Sequence, residues 1–381
     1  MGNYESIFAI SLAQRLGALA REEGPLFAYL WAMALLLRGI PKLRSPSGLA
    51  TLGALAILIR PFPETLSIYT FSALVYAWLH VTDALARESR AIRWRMSLFG
   101  ILVLCALFAA SRRLTELHPA GGPITLVLDM LLFLRLTSLV WDYGSRRCER
   151  PSVKCIVAWI TLPFTRFGPI LRYPALVAQV RPFEACSPPS VPFAFNRTIL
   201  GLAKIGAAQV LITAQSCIFP AGVAGQLLTF YGSSPWSWYL SAAGSCDVAI
   251  ATGLLCGFRI PENYDNPFSA RNLGDFWARW NMTCTAFFRE SLFYSRYGLR
   301  VANPYVNSII LFSLVGLWHG FNGYWVIFGL LHGIGFSVFI WYKRFRREMP
   351  GPIAWALTYI FVCSCWILPP QLLRLGSLLM V

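Results

Sequence analysis

Charge is scarce in this sequence. Only 13% of its 381 residues are Asp, Glu, Lys or Arg, about half the roughly 25% of an ordinary soluble domain. Histidine occurs four times, and no His–His or His–Cys pair stands at the i,i+4 spacing of a helical metal site. The ten cysteines include no CxxC, so no zinc or dithiol motif is spelled. A Walker A loop, GxGxxG and GxSxG are also absent, which removes the sequence signs of P-loop, dinucleotide-binding and serine-hydrolase chemistry. The first 25 residues carry Arg15, Arg21, Glu22 and Glu23 and lack a signal-peptide pattern.

Apolar and aromatic residues fill the space that charge leaves. Hydrophobic residues make up 56% of the chain, with 14 Trp and a mean hydropathy of +0.56. This is the composition of a polytopic membrane protein, with Trp and Tyr suited to the two interfaces. The formal net charge of +16 would suggest nucleic acid in a soluble protein. Here the basic residues lie between apolar runs, as in cytoplasmic loops, and no nucleic-acid partner is expected.

The runs fall near 26–37, 48–59, 67–80, 97–110, 123–141, 153–165, 198–219, 237–258, 304–318, 323–341 and 352–368. Several are shorter than the ~20 residues of a straight span. The expected fold is all-α and polytopic, with about 9–11 transmembrane helices plus re-entrant and interfacial pieces, forming one membrane-embedded domain over 1–381. A short amphipathic surface helix is expected within 1–25, with Phe8, Leu12, Leu16 and Leu19 on one face. Proline density across 163–197 (Pro163, Pro169, Pro174, Pro182, Pro188, Pro189 and Pro192, with Arg166, Arg172 and Arg181) predicts a broken or re-entrant region there. The alternation of Arg and Lys places the N-terminus outside and loops 38–44, 87–95, 143–154 and 343–347 in the cytoplasm. That puts His319 toward the outer end of its span. Cys148 and Cys155 then lie in a reducing compartment, and Cys363 and Cys365 read as buried small hydrophobes.

Few residues can carry chemistry. His319 follows an apolar run; alone, it reads as a packed ring bonded to a backbone carbonyl or as a general base, since a neutral imidazole is ready to take a proton. His332, between Gly329 and Gly333, reads as an interhelical donor or supporting partner. His80, at a helix end, and His118, in a loop, read as ordinary. Over 276–296, Phe276, Trp280, Phe287 and Tyr294 recur at helical spacing, and Arg279, Arg289, Glu290 and Arg296 argue for an interfacial helix. Asn281 falls on its aromatic side, where an amide needs a partner and could donate to a thioester carbonyl or oxyanion. Asp129 and Asp247 stand inside apolar runs and must pair or stay protonated; pairing with an arginine is the simpler account. An acyl-cysteine at Cys284 lacks any neighbour in sequence that clearly lowers its pKa.

Four blocks turn these residues into a pattern: TRFGPILRYPAL (165–176), GSCDVAIATGLLCGFRIPENYDNPF (244–268), ARNLGDFWARWNMTCTAFFRESLF (270–293) and GLWHGFNGYWVIFGLLHG (316–333). Together they resemble the membrane-bound O-acyltransferase superfamily, and within it the bacterial branch of alginate O-acetyltransferase membrane subunits and teichoic acid D-alanyltransferases. The recognisable half is 160–335. The resemblance implies helices around a thinned centre, a catalytic histidine at the position of His319, and an acyl group passed from a cytoplasmic donor to a hydroxyl on the other side. The branch usually has histidine where Asn281 stands; asparagine there resembles the acyl-CoA-using eukaryotic members and leaves His319 as the only obvious base.

The expectation is therefore an O-acyltransferase of a bacterial inner membrane. Its co-substrate would be an acyl thioester on carrier-protein phosphopantetheine or coenzyme A, with no bound cofactor or metal. The acceptor would be an exported polysaccharide or teichoic-type polymer, with a lipid or small metabolite as the alternative. His319 and Asn281 are the expected catalytic pair; Trp277, Arg279, Trp280, Arg289, Trp318, His332 and Asp247 are the expected substrate-binding residues. Expected partners are the bilayer, an acidic acyl carrier protein on the basic loops, and a polymer synthase or periplasmic transferase. A transporter using the intramembrane charges, or a non-catalytic assembly partner, are the rivals of another class.

Overall fold

The computed structural model describes residues 2–55, 62–117, 126, 128–161, 169–180, 191–219, 222–293, 301–345 and 348–378. Among them there are helices and no strands. In chain order these are α1 (Gly2–Gly39), α2 (Pro46–Leu55), α3 (Phe62–Ala86), α4 (Arg90–Leu117), α5 (Met130–Gly144), α6 (Val153–Thr161), α7 (Tyr173–Val177), α8 (Val191–Cys217), α9 (Val223–Leu227), α10 (Ser234–Leu255), α11 (Leu273–Arg279), α12 (Met282–Phe288), α13 (Pro304–His319), α14 (Gly323–Lys343) and α15 (Gly351–Leu378). Among the described residues, the greater part of each apolar run lies in a helix, because with so little charge available the backbone's own hydrogen bonds are the way to satisfy its polar groups in an apolar medium. Four described segments, Arg90–Leu114, Val191–Cys217, Gly323–Lys343 and Gly351–Leu373, are long and apolar enough to cross a bilayer.

Several local expectations change. No separate surface helix covers 1–25: α1 runs unbroken through Pro25 into the first apolar run. Asp129 is not inside a helix. It is the exposed N-cap of α5, where its carboxylate accepts from the N–H groups of Leu131 (2.8 Å) and Leu132 (2.9 Å), a role that satisfies donors the first turn leaves open. Pro174 opens the five-residue α7, and Pro192 sits in the first turn of α8, where a missing N–H costs nothing. Residues 191–197, expected in the broken region, are helical. His80 lies well inside α3, not at its end. Pro163, Pro182, Pro188, Pro189, Arg166, Arg181, His118, Tyr294, Arg296, Arg346 and Arg347 lie outside the described residues.

The chain divides into two compact units. The first comprises Ile10–Gly206 with Ser241–Pro261. It is held by close helix contacts, with Gly201 of α8 against Gly244 of α10 and Phe108 stacked on Phe133 at 4.4 Å. Aspartates within it hold basic side chains, at buried Asp142 and at half-exposed Asp83 alike. Asp142, 1% exposed, takes both arms of Arg172, and Asp83 takes Arg150 at 3.1 Å and Arg93 at 3.5 Å. Arg44 donates to the carbonyls of Gln179 (3.2 Å) and Gly257 (3.0 Å). Arg146 reaches the Glu88 carbonyl at 3.2 Å, so loops 87–95 and 143–154 meet.

The second unit comprises Met1–Ala9, Ala207–Leu240 and Glu262–Val381. Its centre is the antiparallel pair α13–α14. A side chain at Gly316 would overlap the Trp325 carbonyl, one at Gly329 the Phe312 carbonyl, and one at Gly333 would stand 2.8 Å from the Ile309 Cα. These glycines let the two backbones touch. Outward, Ile334, Val338 and Trp341 of α14 and Ile353, Leu357 and Ile360 of α15 are exposed, an apolar surface that suits lipid and not water.

Candidate functional site

The 276–296 segment is not one helix. α11 ends at Arg279, Trp280 is extended, Asn281 takes φ +46° and ψ +52°, and α12 starts at Met282. Asparagine is among the few residues that adopt this left-handed conformation readily, so the break falls where the sequence tolerates it. Asn281 N-caps α12 by position, yet its side chain makes no capping bond. Asn263 does that work from a distance. Its side-chain oxygen accepts from Thr283 N (3.0 Å) and Thr283 Oγ1 (2.8 Å), and its carbonyl accepts from Met282 N (2.9 Å). With the helix start satisfied by Asn263, the Asn281 amide has no hydrogen-bond partner among the described residues.

After Phe288 the helix widens into a π turn over Arg289–Phe293. The face carrying Asn281, Cys284, Thr285, Phe288 and Arg289 lines a cavity of about 470 Å³. α13 and α14 supply the opposite wall, including Leu311, Phe312, Val315, Trp318, His319 and Phe328. The lining is mainly aromatic and aliphatic, with a few polar groups, the usual make-up of a ligand site.

His319 is the last residue of α13 and half-buried. Its ring stacks on Trp325 (4.5 Å, 17° between planes) and sits 4.6 Å from Trp318. These contacts fix the imidazole plane, and Gly320 beyond it is small enough for Trp325 to close over. Trp277 lines the same cavity, edge-on to His332 at 5.0 Å. Trp280 stacks on Phe276 at 5.6 Å.

Of the expected site residues, the cavity gathers His319, Asn281, Trp277, Trp280, Arg289 and Trp318. His332 stands behind its wall. It is 1% exposed, enclosed by Trp277, Phe312, Phe328 and Phe361, and neither ring nitrogen has a hydrogen-bond partner among the described residues. Arg279 is held in an ion-pair cluster with Asp275 (2.7 Å) and Asp265 (3.3 Å) and does not line the cavity. Asp247 belongs to the other unit, paired with Lys204 (2.6 Å) and Arg197 (3.1 Å). Burial pushes the Cys284 thiol well up, away from the thiolate a covalent mechanism needs. Sequence reasoning missed Asn263, Tyr264 and Trp366. The first two stand in the 244–268 block, but nothing in their spacing marks a helix cap or a cavity wall.

The model of the membrane-bound O-acyltransferase family matches residues 22–377. The chain belongs to that family. Its apolar helices and this membership make it a multi-pass membrane protein. Relatives within or near the family's bacterial members are similar over shorter stretches. A peptidoglycan O-acetyltransferase of Helicobacter pylori is 38% identical over 135 residues, 34% of this chain and 26% of that protein. The probable alginate O-acetylase AlgI of Pseudomonas aeruginosa is 31% identical over 134 residues, 34% and 26% of the two chains. A teichoic acid D-alanyltransferase of Bacillus subtilis is 28% identical over 159 residues, 37% and 40%. This O-acyltransferase-family chain thus spans about a quarter to two-fifths of the length of the curated relatives it matches.

Proposed function

We propose that the protein is a membrane O-acyltransferase whose reaction runs in this cavity. The observation that carries the reading is the meeting of two groups from separate elements, the uncommitted Asn281 amide at the start of α12 and the His319 ring at the end of α13, in one mostly apolar chamber. His319 takes the proton of an acceptor hydroxyl as its oxygen attacks the carbonyl of an acyl thioester. The negative charge moves to the carbonyl oxygen, where the Asn281 N–H donates to it. The C–S bond then breaks, and the departing sulfur takes the proton back from the imidazolium. The carbonyl end of α13 favours the positive charge the ring carries in between, and the aromatic walls keep out water that would hydrolyse the thioester.

The donor in this reading is a cytoplasmic thioester, on carrier-protein phosphopantetheine or coenzyme A. The acceptor is a hydroxyl of an exported polymer, since the named relatives act on peptidoglycan, alginate and teichoic acid. The membrane is then the bacterial inner membrane. An acyl carrier protein would dock on the joined basic loops 87–95 and 143–154, and a polymer synthase or periplasmic transferase would work alongside. Replacing His319 with alanine tests the reading. Acylated product should vanish while the protein accumulates normally in the membrane. Full product from His319→Ala would sink it and favour a transporter or an assembly partner.

A further inference from the structure

Several partly enclosed cationic side chains are held by carboxylates. Arg172 is held by Asp142, Arg197 and Lys204 by Asp247, and Arg279 by Asp275. Arg289 differs. It lines the cavity on the same face of α12 as Asn281, yet among the described residues it makes no hydrogen bond or ion pair, and none joins it to the adjacent Glu290. It is also the first residue of a π turn, a distortion that recurs at functional positions. Its exposure sets it at the cavity's open edge. Between it and Asn281 the polar side chain on this face is Thr285, whose hydroxyl donates to the Trp280 carbonyl at 3.4 Å. Eight residues at helical rise separate the two uncommitted groups by about 12 Å. The wall between them holds Phe288 and Cys284.

Resting on the acyl-transfer reading, we propose that Arg289 is an anion-binding point at the cavity mouth. It takes a phosphate or carboxylate that one of the two substrates carries about 12 Å from the reacting carbonyl, a separation set by helical rise. A planar guanidinium with no carboxylate partner among the described residues matches such a group with two parallel hydrogen bonds. The point fixes how deep the substrate enters, so that its carbonyl stops beside Asn281 and His319. Two sources supply this chemistry: the phosphate of a phosphopantetheine arm on the donor side, or the anionic groups of an acceptor polymer.

Binding to the full-length protein in detergent separates them. The probes are 4′-phosphopantetheine against pantetheine, and an anionic uronate oligosaccharide against a neutral glucan of equal length, followed by fluorescence of the cavity tryptophans. The wild type and His319→Ala should both prefer the anionic member of one pair by roughly 10- to 100-fold, the range of a charge-assisted hydrogen bond. Arg289→Met should lose that preference and Arg289→Lys should keep part of it. Arg289→Gln serves if the methionine variant fails to fold. A preference in the first pair assigns the point to the donor, and one in the second to the acceptor. No preference in the wild type, or one that survives in Arg289→Met and Arg289→Gln, overturns the proposal. An Arg289-dependent preference in a protein that transfers no acyl group would sink the acyl-transfer reading and leave the anion point standing.

Discussion

The polar groups of the first unit differ from those on the cavity wall of the second. In the first, Asp83, Asp142 and Asp247 each hold basic side chains within hydrogen-bond or ion-pair distance, and Arg44 is tied to two carbonyls. In the second, the cavity wall leaves the Asn281 and Arg289 side chains without a hydrogen-bond or ion-pair partner among the described residues. A buried charge that is paired holds the fold, because removing one partner strands the other. A polar group left uncommitted beside a cavity costs stability and has its use only when a substrate arrives. Depth in an apolar setting alone therefore does not tell the two kinds of group apart: Asp247 is 7% exposed and ion-paired, while Asn281 is only half-buried and faces the chamber.

Substitutions at four positions sharpen or break this contrast. The largest effect should come from His319→Ala, with turnover per folded molecule down roughly 10²–10⁴-fold and thermal stability nearly unchanged. Next, Asp142→Ala in the first unit should cost about 3–5 kcal/mol of stability, the typical cost of breaking a buried pair. Membrane abundance should fall, yet the surviving protein should turn over normally. Normal abundance would show that the pairing is ornamental. Asn281→Gly comes third. Glycine accepts the left-handed backbone and removes only the amide, so turnover should drop about 10²–10³-fold with the melting temperature held. Asn281→Ala should lose the same rate and also melt lower by about 1–2 kcal/mol, because alanine resists φ +46°. A glycine variant with wild-type turnover would reduce Asn281 to a turn residue. A smaller effect on rate should come from Asn263→Ala. It removes the side-chain acceptor of the Thr283 N–H and hydroxyl, for about 1–3 kcal/mol, and lowers turnover by displacing Asn281, so glycine at 281 should mask its effect on rate in the double variant.

His332 probes the same contrast from behind the wall. A ring that makes no hydrogen bond to a described residue loses little when replaced by an apolar side chain of similar size, about 1.5 kcal/mol or less. His332→Leu should therefore keep measurable turnover. An inactive but stably folded His332→Leu would instead place this ring in the chemistry.

The sequence alone determined the class of the chain and the positions of its helices. Low charge and repeated apolar runs leave helices as the only economical backbone in an apolar medium, and the GLWHG and FWARWN blocks marked His319 and Asn281 before any contact was known. Local signals stopped there. A regular aromatic spacing read as one helix over 276–296, but the left-handed Asn281 splits it, because a backbone break depends on what caps the next helix. That cap, Asn263, arrives from 20 residues away and has no signature in local spacing. The fates of the two arginines in that segment were equally invisible. Arg279 meets Asp275 and Asp265, while Arg289 turns to the cavity, and only tertiary packing decides which carboxylates lie within reach. Composition and periodicity act along the chain and so fix its helices; pairing acts across it, and pairing is what separates the charges that hold this protein together from the groups it keeps open.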